Sequence, residues 1–137
     1  MGAIFARCGN RCDLCPLHRE NFTPDAAPAI NDALYRYHCG GEGPRPRYSR
    51  ACDGCLGDGH IAREACRIRA CATERGLSTC ARCPEMYCGL LEHDMAVIEG
   101  ALSRHHATLP PADFGLYFRP FLIREALARL REAASGT

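Results

Sequence analysis

The chain has 137 residues, the size of one domain, and 47% of them are hydrophobic although only 7% are aromatic. Its 17 basic residues are all arginine, which excludes a lysine Schiff base, and the net charge of +1 lacks the strong positive character of a nucleic-acid-binding protein. No segment approaches the roughly 20 apolar residues of a membrane span, and 13 Gly and 9 Pro residues predict a modest core with many loops.

The first half of the chain alternates between turns and one helix. A cysteine-rich turn cluster at 8–16 is followed by a polar stretch. A helix is expected to start at Thr23 or Asp25 and to end at the Gly40-Gly41 pair. Its apolar face comprises Ile30, Ala33, Leu34 and Tyr37. The Gly- and Pro-rich segment 40–50 then predicts an exposed connection without regular structure.

Three further helices are expected in the second half. The segment 61–75 has helical composition and closes at Gly76. After a turn-rich knuckle at 80–88, apolar residues recur at helical spacing over 91–105, and Pro110-Pro111 is expected to stop that helix. Pro120 opens the last helix, whose apolar face comprises Ile123, Ala126, Leu127, Leu130 and Ala134.

These elements predict a mainly α fold with irregular cysteine-knuckle loops, that is, a small metal-stapled α domain with minor β structure. No segment alternates convincingly with the period of a strand, so any sheet is expected to be a short hairpin near a metal. We expect one domain over residues 1–137. Its motif-bearing core spans about 5–91, and residues 92–137 form a C-terminal helical segment.

The 11 cysteines approach the share of about 8–10% that marks a stapled scaffold. Disulfides are disfavoured because the start of the sequence, at Met1–Arg7, shows no secretory signal, which predicts a cytoplasmic protein. Cytosolic thiols stay reduced, and clustered cysteines there indicate metal binding or catalysis.

Three C-x2-C pairs carry the metal hypothesis, because two intervening residues let a tight turn bring both sulfurs onto one ion. They are Cys12/Cys15, Cys52/Cys55 and Cys80/Cys83. The second and third pairs are the most natural partners, since their separation only slightly exceeds that of common zinc patterns. Cys88, five residues after Cys83, is predicted to be a further ligand.

The sulfurs of Cys66 and Cys71 would point to different faces if both lay in a helix. They can share a metal only if Cys66 precedes the helix; otherwise they close different sites, or one is a core residue. The triplet Cys8, Cys12 and Cys15 has the spacing of an iron–sulfur motif. With a fourth ligand from Cys88, Cys71 or His18, it suits zinc or a cluster equally well.

Other polar residues give weaker signals. Cys39 lies outside every cluster, and a nucleophilic role would need a base that the sequence does not indicate. The basic stretch at 45–50 is better explained as a solvated loop than as a nucleic-acid contact. Arginines flank several cysteines, and we expect them to offset thiolate charge. They are Arg7, Arg11, Arg67, Arg69 and Arg82.

Four motifs occur in order along the chain: CGNRCDLCP at 8–16, CDGC at 52–55, CRIRAC at 66–71 and CARCPEMYC at 80–88. In this series the chain closely resembles a prokaryotic cysteine-rich domain family of unknown function, usually described as zinc-binding. The resemblance covers roughly residues 5–91 and places ten cysteines at motif positions, with Cys39 outside. Such families tend to have an aromatic-Pro-Cys ending, where this chain has Met86-Tyr87-Cys88.

The resulting hypothesis is a zinc-binding protein with one or two zinc ions, acting as a structural or interaction module rather than as an enzyme. The expected ligands are Cys8, Cys12, Cys15, Cys52, Cys55, Cys66, Cys71, Cys80, Cys83 and Cys88. The first alternative is an iron–sulfur redox or sensor protein, and the second is a zinc-thiolate enzyme with an open coordination position. The expected partner is a protein, not nucleic acid or membrane, and the sequence does not specify an oligomeric state.

Overall fold

The structure is a computed structural model that describes residues 2–63 and 65–135. The fold is mainly helical, as the sequence predicts. The helices of the described residues are α1 (Ala27–Tyr37), α2 (Arg67–Glu74), α3 (Gly89–His105), α4 (Pro111–Tyr117) and α5 (Ile123–Ser135). Within the same residues there is no extended strand, and β structure is limited to two isolated bridges, Phe5 with Arg11 and His18 with Cys52. The predicted hairpin is therefore not found there.

Helix α1 confirms the first helix prediction and shows how its ends are set. The Thr23 hydroxyl accepts a hydrogen bond from the Ala26 N–H at 3.3 Å, which caps a short 3-10 turn that leads into the helix. Beyond the helix, Gly40 and Gly41 have φ values of 66° and 72°, a left-handed conformation that glycine adopts without strain. The segment 40–50 that follows is irregular and mostly exposed, as expected.

Helix α2 is shorter than the predicted 61–75 helix. It begins at Arg67 because Cys66, in an extended conformation, caps it: its sulfur accepts the Arg69 N–H at 3.5 Å. Residues 61–63 are irregular, and Glu64 lies outside the described residues. The expected glycine at the C-terminal end is confirmed, since Gly76 has a φ of 70°.

Helix α3 is the long element that both core clusters share. Its first half contributes Leu91 and Met95 to a cluster with α2, α5 and the N-terminal cysteine loop. Its second half contributes Ile98 and Ala101 to a cluster with α1 and the α4 region. All four are buried and recur at intervals of three or four residues, which places them on one face of the helix.

Helix α4 corrects the interpretation of the proline pair as a stop only. The α3 helix does end before it, but Pro111 is also the first residue of a new helix, where the missing N–H costs nothing. A 3-10 turn at Arg119–Phe121 then leads into α5, so Pro120 belongs to that turn and α5 begins at Ile123. No helix within the described ranges is long and apolar enough to cross a membrane.

Candidate functional site

Two cysteine turns from distant parts of the sequence lie side by side. The Cys52 N–H donates to the Leu17 carbonyl at 2.7 Å, and the Arg19 N–H donates to the Cys52 carbonyl at 2.9 Å. These bonds form the parallel bridge between His18 and Cys52. Because residues 17–19 directly follow the Cys12/Cys15 turn, the bridge brings that turn against the Cys52/Cys55 turn.

The thiols of these two turns share one environment. Burial raises the pKa of the Cys12 thiol against a hydrogen bond from the Cys55 N–H, and the nearby Cys52 and Cys55 thiols add to the rise. Burial raises the pKa of Cys15 to about 11, with Cys12 and Cys52 adding to the effect. A group of thiols in such surroundings resists ionisation unless a cation compensates the charge.

Two backbone N–H groups are directed at the sulfur of Cys52. The Cys52 sulfur accepts the N–H groups of Gly54 and Ala62, each at 3.4 Å. Gly54 has a φ of 92°, and a Cβ there would lie 3.6 Å from the His18 Nε2 atom. The His18 side chain is thus packed against this turn and is only 3% exposed. Turns whose N–H groups converge on an acceptor favour negative charge there.

Cys8 and Cys66 lie beside the Cys55 end of this group. Burial raises the pKa of Cys8 to about 12, and the nearby Cys66 and Cys55 thiols raise it further against a hydrogen bond from the Asn10 backbone. Cys66 precedes helix α2, the condition under which it could share a metal with Cys71. The structure instead places Cys66 near Cys8. We call the six cysteines of this region group I: Cys8, Cys12, Cys15, Cys52, Cys55 and Cys66.

The other four of the ten motif cysteines, which we call group II, line one cleft of about 370 Å³. They are Cys71, Cys80, Cys83 and Cys88. Cys71 lies in α2, Cys80 and Cys83 belong to the knuckle, and Cys88 directly precedes α3. Burial raises the pKa of Cys80 to about 11, and the Cys83 thiol adds more to that rise than Cys88, Cys71 or Cys55, in decreasing order.

Arginines lie next to both groups. The Arg7 guanidinium donates to the Cys55 carbonyl at 2.7 Å and to the Cys55 sulfur at 3.5 Å. Arg75, which the sequence analysis missed because it lies four residues from the nearest cysteine, donates to the Cys83 sulfur at 3.4 Å. Arg11, expected to offset thiolate charge, instead pairs with the Asp13 carboxylate at 2.7 Å and holds the pKa of that carboxyl at about 2.

The thiols are grouped but do not form ligand geometry. All eleven cysteines lie in the described part of the chain, and all are free thiols. No set of three or more His, Cys, Asp or Glu side chains within 2–63 and 65–135 is arranged so that it could hold a metal ion. Thiols with directed N–H donors suit a thiophilic ion such as zinc by type. The sulfurs of a group would have to draw together to bind one.

Three features do not belong to either group: Cys39, His38 and the basic stretch at 45–50. Cys39 is exposed and belongs to neither. His38 packs edge-on against Phe118 and Phe121, and its Nε2 atom lies 2.6 Å from the Tyr117 carbonyl. In the basic stretch, the Tyr48 N–H donates to the Asn31 side chain at 3.0 Å. That contact anchors the loop to α1.

Comparison with known proteins gives a family without an activity. A family of proteins of unknown function, DUF3795, matches residues 4–93, which contain all ten cysteines of groups I and II. No curated protein and no solved structure matches the chain. The match ends close to the expected boundary of the motif core and covers well over half of the chain, so the protein belongs to the DUF3795 family.

Proposed function

We infer that this protein binds zinc through its grouped cysteines and acts as a structural or interaction module in the cytoplasm, with another protein as its partner. One observation carries the inference: ten cysteines from four sequence motifs converge into two groups, and none is paired in a disulfide. Four thiolates around one zinc ion form the usual closed structural site.

Energetics supports a structural role for the metal. A structural zinc contributes on the order of 10 kcal/mol to folding in small zinc domains, which matches the entire stability of many domains, about 5–15 kcal/mol. The apolar core here is divided between two small clusters. A metal in either group would join segments from different turns and helices.

The surroundings of the thiols favour a module over an enzyme. The groups offer more than enough cysteines to close a zinc ion with four protein ligands, which leaves no position for a substrate. The arginines beside the sulfurs donate to them or to backbone carbonyls, as Arg7 does at Cys55. A net charge of +1 does not favour a nucleic-acid partner.

The test is elemental analysis of protein purified without oxygen and without added metal. We expect one or two zinc ions per chain and a colourless protein. Cys55→Ser should lower the zinc content, because Cys55 lies at the centre of group I. Cys39→Ser is the matched control and should retain all the metal, because Cys39 belongs to neither group. A reduced wild-type sample that is compact and metal-free would refute the proposal.

An iron–sulfur centre is the second candidate, and the group II cleft favours it. Four sulfurs at about 2.3 Å from one zinc ion leave no internal space. The four cysteines line an open cleft of about 370 Å³ together with apolar residues such as Ile68 and Leu91, so an inorganic centre larger than one ion can be approached from that side. A brown protein with visible absorption and iron in place of zinc would establish this candidate and exclude zinc alone.

A further inference from the structure

The two cysteine groups are built by different parts of the chain. Group I depends on the backbone bridge between residues 17–19 and Cys52, which joins the first two C-x2-C turns. Group II depends on α2, the knuckle and the start of α3, whose cysteines face a common cleft. Apolar residues complete that cleft, among them Ile68, Leu77 and Leu91. The two groups meet at α2, whose N-cap Cys66 belongs to group I and whose Cys71 belongs to group II, and otherwise rest on different segments.

Arg7 lies between the two groups. Its guanidinium donates to the Cys55 carbonyl of group I at 2.7 Å and to the Leu77 carbonyl beside group II at 3.2 Å. Its own carbonyl accepts the Cys80 N–H at 2.8 Å. A zinc ion bound by four thiolates carries a formal charge of about −2. Two such centres repel each other, and a cation between them weakens that repulsion.

We propose that the ten cysteines form two independent metal centres, one within group I and one formed by Cys71, Cys80, Cys83 and Cys88. This division rests on the proposed function and adds the ligand pairing to it. It differs from the pairing that sequence spacing favours, in which Cys52/Cys55 and Cys80/Cys83 share one ion. In the structure those two turns contribute to different groups, with Arg7 between them.

The group II centre fastens helix α2 to the start of helix α3. Cys71 lies inside α2 and Cys88 is the N-cap of α3, so a shared ion ties the middle of one helix to the start of the next. The Cys88 side chain makes no capping hydrogen bond to the helix. Its sulfur is therefore available as a ligand. Arg75 lies beside this centre, where it donates to the Cys83 sulfur at 3.4 Å and pairs with Glu85 at 2.6 Å.

Additivity of metal loss tests the division. Zinc and iron are counted in wild type, Cys52→Ser, Cys83→Ser, the double variant and Cys39→Ser. Independent centres predict that Cys52→Ser and Cys83→Ser each remove one centre, that the double variant loses both, and that Cys39→Ser loses none. If the two turns share an ion, both single variants and the double variant lose the same amount, and the division is wrong.

The counts separate failure of the division from failure of the proposed function. A wild type that binds zinc with non-additive losses refutes only the division. A metal-free wild type refutes the proposed function, and the division with it. Iron lost in Cys83→Ser but retained in Cys52→Ser supports separate centres while refuting zinc at group II.

A second measurement needs no variant that could fail to fold. Wild-type protein is exposed to increasing chelator in the presence of iodoacetamide, and the alkylated cysteines are mapped by peptide mass spectrometry. Independent centres predict that Cys71, Cys80, Cys83 and Cys88 become alkylated together, and that Cys12 and Cys52 become alkylated together. Simultaneous alkylation of Cys52, Cys55, Cys80 and Cys83, ahead of Cys71 and Cys88, would overturn the division.

Discussion

Replacing Gly9 by alanine should destabilise the protein strongly, because the N-terminal cysteine loop packs directly on α5. Gly9 has a φ of 99°, and a Cβ there would lie 3.1 Å from the Cγ and 3.3 Å from the Cδ2 atom of Leu127. Leu127 is fully buried. The left-handed backbone costs an alanine about 1–2 kcal/mol. Overpacking against a buried side chain adds about 1–3 kcal/mol. We expect a loss of roughly 2–5 kcal/mol from these two costs together.

Two variants separate the backbone and packing costs. Gly76 also has a left-handed φ, 70°, but nothing lies within 4 Å of a Cβ built there, so Gly76→Ala should show only the backbone cost of about 1–2 kcal/mol. In a Leu127→Ala background, Gly9→Ala should likewise lower the unfolding free energy by only about 1–2 kcal/mol, because the Leu127 Cγ and Cδ2 atoms that the new Cβ would meet are absent. Urea titrations followed by circular dichroism give all these values. Equal losses for Gly9→Ala and Gly76→Ala would refute the close packing of the loop on α5.

Other side chains give three further expectations. Burial lowers the pKa of His38 below its ordinary 6.5, against a hydrogen bond to Tyr117, so below about pH 6.5 the unfolded chain binds a proton that the folded chain does not. The unfolding free energy of wild type should therefore fall as pH drops through that range, more steeply than that of His38→Gln. Met95→Ala should lower the unfolding free energy by about 2–5 kcal/mol, because Met95 is fully buried. Val97 lies on the same helix but is 47% exposed, so Val97→Ala should change that free energy by less than about 0.5 kcal/mol in urea titrations. Arg124→Ala should barely shift the urea midpoint at low or high salt, because its ion pairs with Glu92 and Glu99 are exposed; a shift as large as that of Met95→Ala would contradict this.

The long periodic helices could be predicted from sequence, and the short ones could not. Helices α1, α3 and α5 have apolar residues at helical spacing on the face that they bury, so the sequence pattern alone is sufficient to locate them. Helix α4 has only seven residues, too few for periodicity, and its stability depends on burying Tyr117 in a core assembled from elsewhere. The start of α2 depended on Cys66 acting as a cap, a role that composition does not reveal.

The cysteine spacing predicted turns but could not predict which turns meet. A C-x2-C motif encodes only the local geometry of two sulfurs. The contact between the first two turns depends on backbone hydrogen bonds of Cys52 to Leu17 and Arg19, which any residue types could form. Nearness in sequence therefore favoured a metal shared by Cys52/Cys55 and Cys80/Cys83. In the fold, these non-local hydrogen bonds place the Cys52/Cys55 turn beside the Cys12/Cys15 turn instead. Likewise, Arg75 approaches Cys83 only because α2 ends beside the knuckle.

Helix α2 is the element whose order should depend most on bound metal. Eight residues are too few for a stable isolated helix, and α2 buries only Ile68 and Ala72. Its other attachments include the Arg69 contacts to the Cys55 and Gly57 carbonyls. Metal bonds through Cys71 would supply the missing anchorage. Chelation should therefore abolish amide exchange protection in α2, while α3, with Met95 and Ala101 fully buried, keeps more of its own. Hydrogen exchange with mass spectrometry measures both helices in one sample, and unchanged protection of α2 in the metal-free protein would show that packing alone holds it.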